Sequence, residues 1–577
     1  MDTIFTLLYP ISLSLLLYFL TLLFRPGSRP GFKRYPVVGT VPVFLLNRRR
    51  FLEWSTEVLS AHPTHTAVFF RAIGGTHGVF TAEPANVEHI LKTRFENYPK
   101  GTRFVSLLQD FLGAGIFNSD GPLWRLQRKI ASFEFNKRTL KNFLLESVIK
   151  AEIRTKLNPV LREAARSGRV LDLQDVLERF AFDNVCKLAF HVDPGCFDRD
   201  DPDQTGFMRA FDEATALCSG RFMYALPMSW KIKRFFNFGS ERRLREAIRT
   251  VHEFADEIIR LRLEENSQNG NDKYEDLLSR FINANDETLS TELLRDVVIS
   301  VILAGKDTTS TGLSWLFWLL SNDPNVVEKA RYEVEKIRVR SGKRVGDPFN
   351  YEELRDMQYL HAVISESLRL YPPVPVDTKA CLENDVLPDG TNVKKGWFIL
   401  YHTYAMGRME SIWGKDCCEF KPERWLDEDG LFKPDSSFRF PVFHAGPRIC
   451  LGREMAYIQM KSAVACILEQ FDVDVLGKEK RPEYLLSLTL RMKNGLPVMQ
   501  NLHNGGEETM IRHIIVSICQ GCGFAWSISW VAFGLSAAKL FHALETDCFL
   551  QSNYAGDWKR RRAANKLILT KNCRLTF

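Results

Sequence analysis

Ten residues constrain this chain more than any others: Phe443–Gly452, "FHAGPRICLG". They set one cysteine, Cys450, between Gly446 and Gly452, with Arg448 two positions before it. On composition alone, a lone thiol in a small, apolar run is a buried packing residue, because free cysteine is among the most buried residue types. The competing reading is a metal ligand. A thiolate on the iron of a flat macrocycle needs a tight loop whose backbone comes close to the ring. Gly446 and Gly452 offer positions without side chains there. Phe443 is placed to cover the sulfur, and Arg448 to pair with a carboxylate.

The rest of the chain has room for a large core. Its 577 residues permit several domains. With 45% hydrophobic and 25% charged residues it reads as globular, and 42 phenylalanines suggest a large apolar interior or cavity. The formal charge of +7 admits a basic docking face or attraction to anionic lipid, and calls for no nucleic acid. Twelve cysteines show no framework spacing, and Cys417 and Cys418 are adjacent. This suits a reduced, cytosol-facing protein. Cys519 and Cys522 form a C-x-x-C inside an apolar run with no second ligand pair, so two packed thiols are preferred to a zinc or redox site.

The two ends differ from the middle. Ile4–Phe24 carries no charge; as a helix it spans about 30 Å, the thickness of a bilayer's hydrocarbon core. It has no leading Lys or Arg and no small-residue cleavage site, so an anchor is preferred to a secretory signal. Arg25, Arg29, Lys33 and Arg34 follow directly, which places the remainder on the cytosolic side. At the other end, residues 514–538 form a second run without Asp, Glu, Lys or Arg. If that run spanned, "KRRR" at Lys559–Arg562 would face the lumen, against the positive-inside rule. A buried, membrane-skimming or non-native tail are the alternatives. The expected organisation is therefore a transmembrane anchor at 1–24, a linker at 25–35, a catalytic domain at 36–500 and an atypical tail at 501–577.

Within the domain, "WRLQRKIASFEF", "VHEFADEIIRLRLEE" and "VVEKARYEVEKIRVR" carry helical apolar spacing. "DRDDPDQTG" (Asp198–Gly206) and "ENSQNGNDKYE" (Glu265–Glu275) read as loops. Strand signals are short: "HTAVFFRAIGGTHGVFTA", and "VLPDGTNVKKGWFILYHTY", where a Pro-Asp-Gly turn suggests a hairpin. The fold class is mainly α with small β-sheets.

Three further patterns share the chemistry of Cys450. "VVISVILAGKDTTSTGLSWLFWLL" (Val297–Leu320) is a long apolar helix with a polar break. Gly305 costs such a helix about 1 kcal/mol relative to alanine. Asp307, Thr308 and Thr309 follow it, so a locally opened turn that admits water and oxygen competes with simple back-bonding of a hydroxyl to a carbonyl one turn earlier. Glu366 and Arg369 lie one turn apart on the otherwise apolar "LHAVISESLRLYPPVP". A buried pair there needs another partner, which Arg424 of "KPERW" offers. Trp124 and Arg128 are i, i+4 on one helix; taken alone they are a surface aromatic and a solvated charge.

"FHAGPRICLG" matches F-x-x-G-x-R-x-C-x-G at Phe443, Gly446, Arg448, Cys450 and Gly452, and so resembles the haem-binding signature of the cytochrome P450 family. Ala304, Gly305, Asp307 and Thr308 are similar to its oxygen-activation motif. The resemblance covers about residues 36–500 and implies the family's fold. It implies haem b with Cys450 as axial ligand, Trp124 and Arg128 at the propionates, and Glu366, Arg369 and Arg424 as a structural triad. Thr308 would hydrogen-bond the reacting oxygen, and Asp307 would link it to solvent. "ENYPKG", "LGAGIFNSDGPLW", "YAMGRMESIWG" and "CCEFKPERWLDEDG" resemble the plant ω-hydroxylase clan, above all family 94. The tail beyond about residue 502 has no counterpart in that pattern.

What the resemblance implies is a monooxygenase that hydroxylates the terminal carbon of a fatty acid or related acyl chain. It would use O2 and electrons from NADPH, delivered by NADPH-cytochrome P450 reductase at the endoplasmic reticulum membrane, since no nucleotide-binding signature is evident. Arg128, Lys129 and Arg453 would guide an acidic partner. The alternatives are oxidation of jasmonoyl–amino-acid conjugates or of a sterol side-chain end. Of another class are a haem-thiolate hydroperoxide isomerase or dehydratase, which typically departs from the acid–threonine pair, and a haem protein without turnover. Expected channel segments are Phe104–Phe117, Val298–Thr309, Pro373–Thr378 and Leu485–Leu490; no basic residue identifies itself as a carboxylate anchor.

Overall fold

The apolar stretch around Gly305 folds as one central helix in three pieces: Thr291–Ile302, a widened π turn at Leu303–Asp307, and Thr308–Asn322. Ser290 starts it, its side chain accepting from the Leu293 amide at 3.3 Å, with Glu292 in the first turn. The centre is crowded. A Cβ at Gly305 would lie 2.5 Å from Val185 Cγ2 on the helix Leu173–Phe190, so glycine lets the two helices approach. The turn is widened just there, and Thr308 Oγ1 donates back to Ala304 O at 2.6 Å.

The protein, a computed structural model, is described over residues 31–35, 39–71, 76–135, 145–197, 202–224, 228–269, 276–284, 286 and 289–503. The stretches Ile4–Phe24 and 514–538, with Cys519 and Cys522, lie outside the described residues. Among those described, no helix is long and apolar enough to cross a membrane.

Helices dominate, as expected. Gly121–Ser132, Ser240–Asn269 and Pro324–Ser341 form where the apolar spacing places them. Two stretches read as loops are partly helical. One helix starts at Pro202, inside "DRDDPDQTG", because proline's fixed φ suits a first turn. Another runs on to Asn269, where polar composition masked helix propensity.

A four-stranded sheet joins the two ends of the domain. Thr66–Arg71 pairs antiparallel with Thr76–Thr81, which pairs parallel with Phe398–Tyr401 in the register Val79↔Ile399. Asp377–Ala380 closes the far edge, with Asp377 opposite Tyr401. The expected hairpin around Pro388-Asp389-Gly390 exists only as Asp385–Val386 against Asn392–Val393. The Phe398–Tyr401 strand that should have extended it is buried throughout and serves the larger sheet. A three-stranded sheet (Leu171–Asp172, Pro497–Leu502, Phe471–Val475) and the pair Tyr484–Leu486 with Leu490–Met492 complete the β structure.

The apolar core forms two clusters. One packs Leu313–Leu320 of the central helix with Val363, Leu368, Val464 and the sheet residues Val79 and Ile399. The other packs Val298 and Ile302 with Phe111, Phe182, Phe211 and Val251. The central helix thus belongs to both, and its polar turn sits where one passes into the other.

Candidate active site

The Cys450 loop is built from backbone. Cys450 N donates to Phe443 O at 2.8 Å, and Ile449 N to Gly446 O at 3.0 Å. Gly446 has φ +65°, and a Cβ there would lie 2.0 Å from Leu91 O, so this position requires glycine twice over. Gly452 has an ordinary φ of −85°; it precedes the helix Arg453–Gln470, and a Cβ on it would lie 3.9 Å from Cys450 Sγ. Phe443 packs on Tyr457, with ring centroids 5.3 Å apart.

Cys450 has accessible surface, yet surrounding protein desolvates its thiol and pushes its pKa up. The Gly452 amide and the Arg128 and Arg453 charges oppose the burial effect and favour the thiolate. Across the fold, Ala304 is exposed and Thr308 half-exposed, although the helix around them is buried. The helix that follows Cys450 packs on the central helix; a Cβ at Gly312 would lie 3.6 Å from Met460 Sδ.

Beside the loop lies a cationic cradle. Arg128 donates to Ile449 O at 2.6 Å, and Arg448 lies over the Trp124 ring at 4.3 Å. Arg448 also donates to Asp120 Oδ1 at 2.7 Å and Ser119 O at 2.9 Å, so the carboxylate it finds within the chain is Asp120. The remaining members left no signal in the sequence. Lys100 Nζ donates to Asp377 Oδ1 at 2.8 Å, and the Tyr401 hydroxyl donates to Asp377 Oδ2 at 3.1 Å. Lys379 is buried with its Nζ 3.3 Å from Asp377 but in no hydrogen bond, and His444 Nε2 is likewise unbonded 3.7 Å from Asp377. Burial, joined by the Lys100 and Arg448 charges, pushes Lys379 down to about 7. Burial pushes His444 down to about 4. Only the side-by-side burial of Thr378 and Lys379 on a short strand marks this lysine as unusual, and that is not visible in "DTKA".

These residues fit haem b. Lys100, Lys379, Arg128 and Arg448 outnumber Asp120 and Asp377, and an unbonded buried ammonium suits a dicarboxylate cofactor. Cys450 stands ready as the thiolate ligand.

Glu366 and Arg369 are both fully buried. Arg369 grips Glu366 through Nε and a terminal nitrogen, each at 2.7 Å. Arg424 donates to Glu366 Oε1 at 2.8 Å, and Trp425 Nε1 to Oε2 at 2.9 Å. The other bonds of Arg369 go to the carbonyls of Gly407, Cys417 and Glu419.

Asp307 does not reach solvent directly. It is buried, and Lys306 Nζ holds its Oδ1 at 2.7 Å and Asp212 Oδ1 at 2.6 Å. Burial raises the pKa of Asp307 and Lys306 opposes it. The expected channel segments meet in pairs. Leu490 N donates to Pro373 O at 2.9 Å. Gly113–Gly115 rests on the first part of the central helix, where Ala114 N donates to Asp296 at 2.7 Å. A Cβ at Gly113 would lie 2.0 Å from Asp296 Oδ2, and one at Gly115 2.2 Å from Ser300 Oγ.

Comparison with known proteins agrees with this geometry. The cytochrome P450 family model matches residues 30–497. "Cytochrome P450 CYP94D108" of Paris polyphylla is 52% identical over 461 residues, covering 80% of this chain and 90% of that protein. "Cytochrome P450 94A1" of Vicia sativa is 43% identical, covering 81% and 89%. "Cytochrome P450 94B1" of Arabidopsis thaliana is 43% identical, covering 86% and 97%. A thiol loop seated on backbone, a cationic cradle beside it and a sequence matched along most of its length lead to one conclusion: the chain belongs to the cytochrome P450 family, among the plant members of family 94, and is a cytochrome P450 monooxygenase.

Proposed function

We propose that this protein hydroxylates the terminal carbon of a fatty acid or a related acyl chain. Similarity to family 94 over most of the chain, together with the acid–threonine pair on the widened turn, carries this reading. The pair also favours oxygen chemistry over rearrangement of a hydroperoxide. Haem b, when bound, supplies oxygen activation and C–H oxidation. Cys450 would hold the iron, and Lys100, Lys379, Arg128, Trp124 and Arg448 would receive the carboxylates. Thr308 positions a hydroxyl at the half-exposed face of the turn, and Asp307 holds or yields a proton behind it. Terminal oxidation requires weaker secondary C–H bonds to be kept away by geometry, which the apolar segments meeting at Pro373 and Leu490 would do.

Electrons come from NADPH through a reductase, and Ile4–Phe24 anchors the chain in the endoplasmic reticulum membrane with the domain cytosolic. Turnover of the purified protein with reductase and NADPH, on a panel of fatty acids, a jasmonoyl conjugate and a sterol, tests the substrate. Products bearing a terminal alcohol on the fatty acids are expected; oxidation of only the conjugate or the sterol overturns the assignment. Cys450→Ala should abolish the thiolate absorbance of the reduced carbon monoxide complex; a variant that retains it removes Cys450 from the iron.

A further inference from the structure

Cys417 and Cys418 are neighbours in the chain, and their sulfurs meet: the two Sγ atoms stand 3.9 Å apart. Cys418 is exposed, and Cys417 is buried behind it with its thiol donating to Arg408 O at 3.3 Å. The other described cysteines are buried, Cys450 excepted. A direct bond between the pair is disfavoured. Their peptide is trans, which sets the α-carbons about 3.8 Å apart, nearer than the roughly 4.4–6.8 Å that a disulfide spans. One atom fits between the sulfurs instead, because two sulfurs about 2.3 Å from a tetrahedral centre stand about 3.8 Å apart.

The surroundings choose that atom. Among the described residues no His, Asp or Glu joins the pair in a group of three ligands. A dication would therefore keep half of its coordination for water. Burial, with Cys418 beside it, pushes the Cys417 thiol up to about 11, so a dication would also have to expel a firmly held proton. A monosubstituted trivalent arsenical meets neither difficulty. Its third bond goes to carbon, two sulfurs complete it, and its own oxygen carries the thiol protons away.

We propose that Cys417 and Cys418 form a binding site for a monosubstituted trivalent arsenical, and that its occupation loosens the buried Glu366 cluster. Two As–S bonds form, the arsenic–oxygen double bond and both S–H bonds break, and the oxygen leaves with the two protons as water. Arsenic stays trivalent and no electrons are transferred. The coupling lies in the backbone. Arg369 donates to Cys417 O at 2.6 Å and to Glu419 O at 2.9 Å, and Arg424 donates to Asp416 O at 3.1 Å. Carbonyls on and beside the pair thus hold both arginines of Glu366, and drawing the Cys417 sulfur from Arg408 O onto arsenic pulls on them.

Phenylarsine oxide added to the haem-loaded full chain tests this, on a Cys519→Ser/Cys522→Ser background that removes the other closely spaced pair. Mass spectrometry should find one phenylarsenic group on the peptide holding Cys417 and Cys418, left in place by excess glutathione and removed by dithiothreitol. Cys418→Ser should lose it. With the group bound, the carbon monoxide complex should lose its thiolate position several-fold faster on warming, and Cys418→Ser should show no such acceleration. No glutathione-resistant group at this peptide, or one that survives in Cys418→Ser, overturns the site. Bound arsenic with an unchanged rate of haem loss overturns the coupling. The mass spectrum decides the site whatever residue ligates the iron, so its failure is distinct from failure of the Cys450 reading.

Discussion

The protein buries two ionic clusters, and they are built on opposite principles. Around Glu366, one carboxylate meets two arginines, an indole N–H and the Lys421 amide at 2.9 Å, and the spare donors of Arg369 end on backbone carbonyls. Every acceptor is matched by a donor fixed in a helix or a loop. Around Asp307, charge meets charge in a line of three carboxylates and two cations among the described ion pairs, most accessible at Arg491 and Asp212 between its two buried ends. The first cluster is saturated and ties the segment 407–425 to the helix Gln358–Leu370. The second holds more carboxylates than cations among the described ion pairs. Burial alone therefore does not tell a structural ion pair from a titrating one; the count of donors against acceptors does.

Breaking the saturated cluster should have the larger effect. Arg369→Ala strands the Glu366 charge and should cost ~3–5 kcal/mol in denaturant unfolding, with loss of haem retention. A loss below ~1 kcal/mol would place this cluster with the open one.

Thr308→Ala sharpens the contrast from the other side. It removes a half-exposed hydroxyl and should change stability by about 1 kcal/mol or less, while NADPH consumption diverges from product several-fold and peroxide appears. Unchanged coupling would detach Thr308 from proton handling. Asp212→Asn should uncouple in the same sense but less, since Asp307 and Thr308 remain in place; coupling equal to wild type would leave the edge of the cluster without a role.

The smallest effect is in the pH dependence of stability. Glu178 has its folded pKa raised from 4.5 to about 7 by burial. Its contribution is full below 4.5 and is lost as pH rises through about 7. Glu178→Gln should flatten this fall, leaving the variant on the order of 1 kcal/mol better off above neutrality relative to its acid-side difference. Parallel curves for the two proteins would show that Glu178 does not titrate.

The contrast also explains what the sequence could show. The Cys450 loop was legible because its pattern is local: Gly446, Arg448 and Gly452 all stand within a few residues of the thiol, although the backbone neighbour that Gly446 answers, Leu91 O, lies far off in sequence. Glu366 and Arg369 were legible as an i, i+3 pair, and Arg424 as a second cation in a distinctive "KPERW". The cluster behind Asp307 was not, because Lys306 finds Asp212 across 94 residues and Arg491 finds Glu178 across 313. Lys306 read as part of a polar break, and Arg491 lies just past the expected channel segment Leu485–Leu490. Lys100 and Lys379 were missed likewise, since Asp377 gathers them from distant parts of the chain. The strand Phe398–Tyr401 was assigned to the wrong partner because a nearby turn is visible in sequence and a parallel neighbour from residues 76–81 is not.

Gly113 and Gly115 set a limit of a different kind. The segment they bracket lies on the central helix with no clearance for a methyl group at either glycine. Every substitution at these two positions adds bulk, so every substitution lifts the segment away from Asp296 and Ser300. Variation here runs one way: it can move this segment off the central helix and can never bring it closer, so the contact stands at its limit of approach.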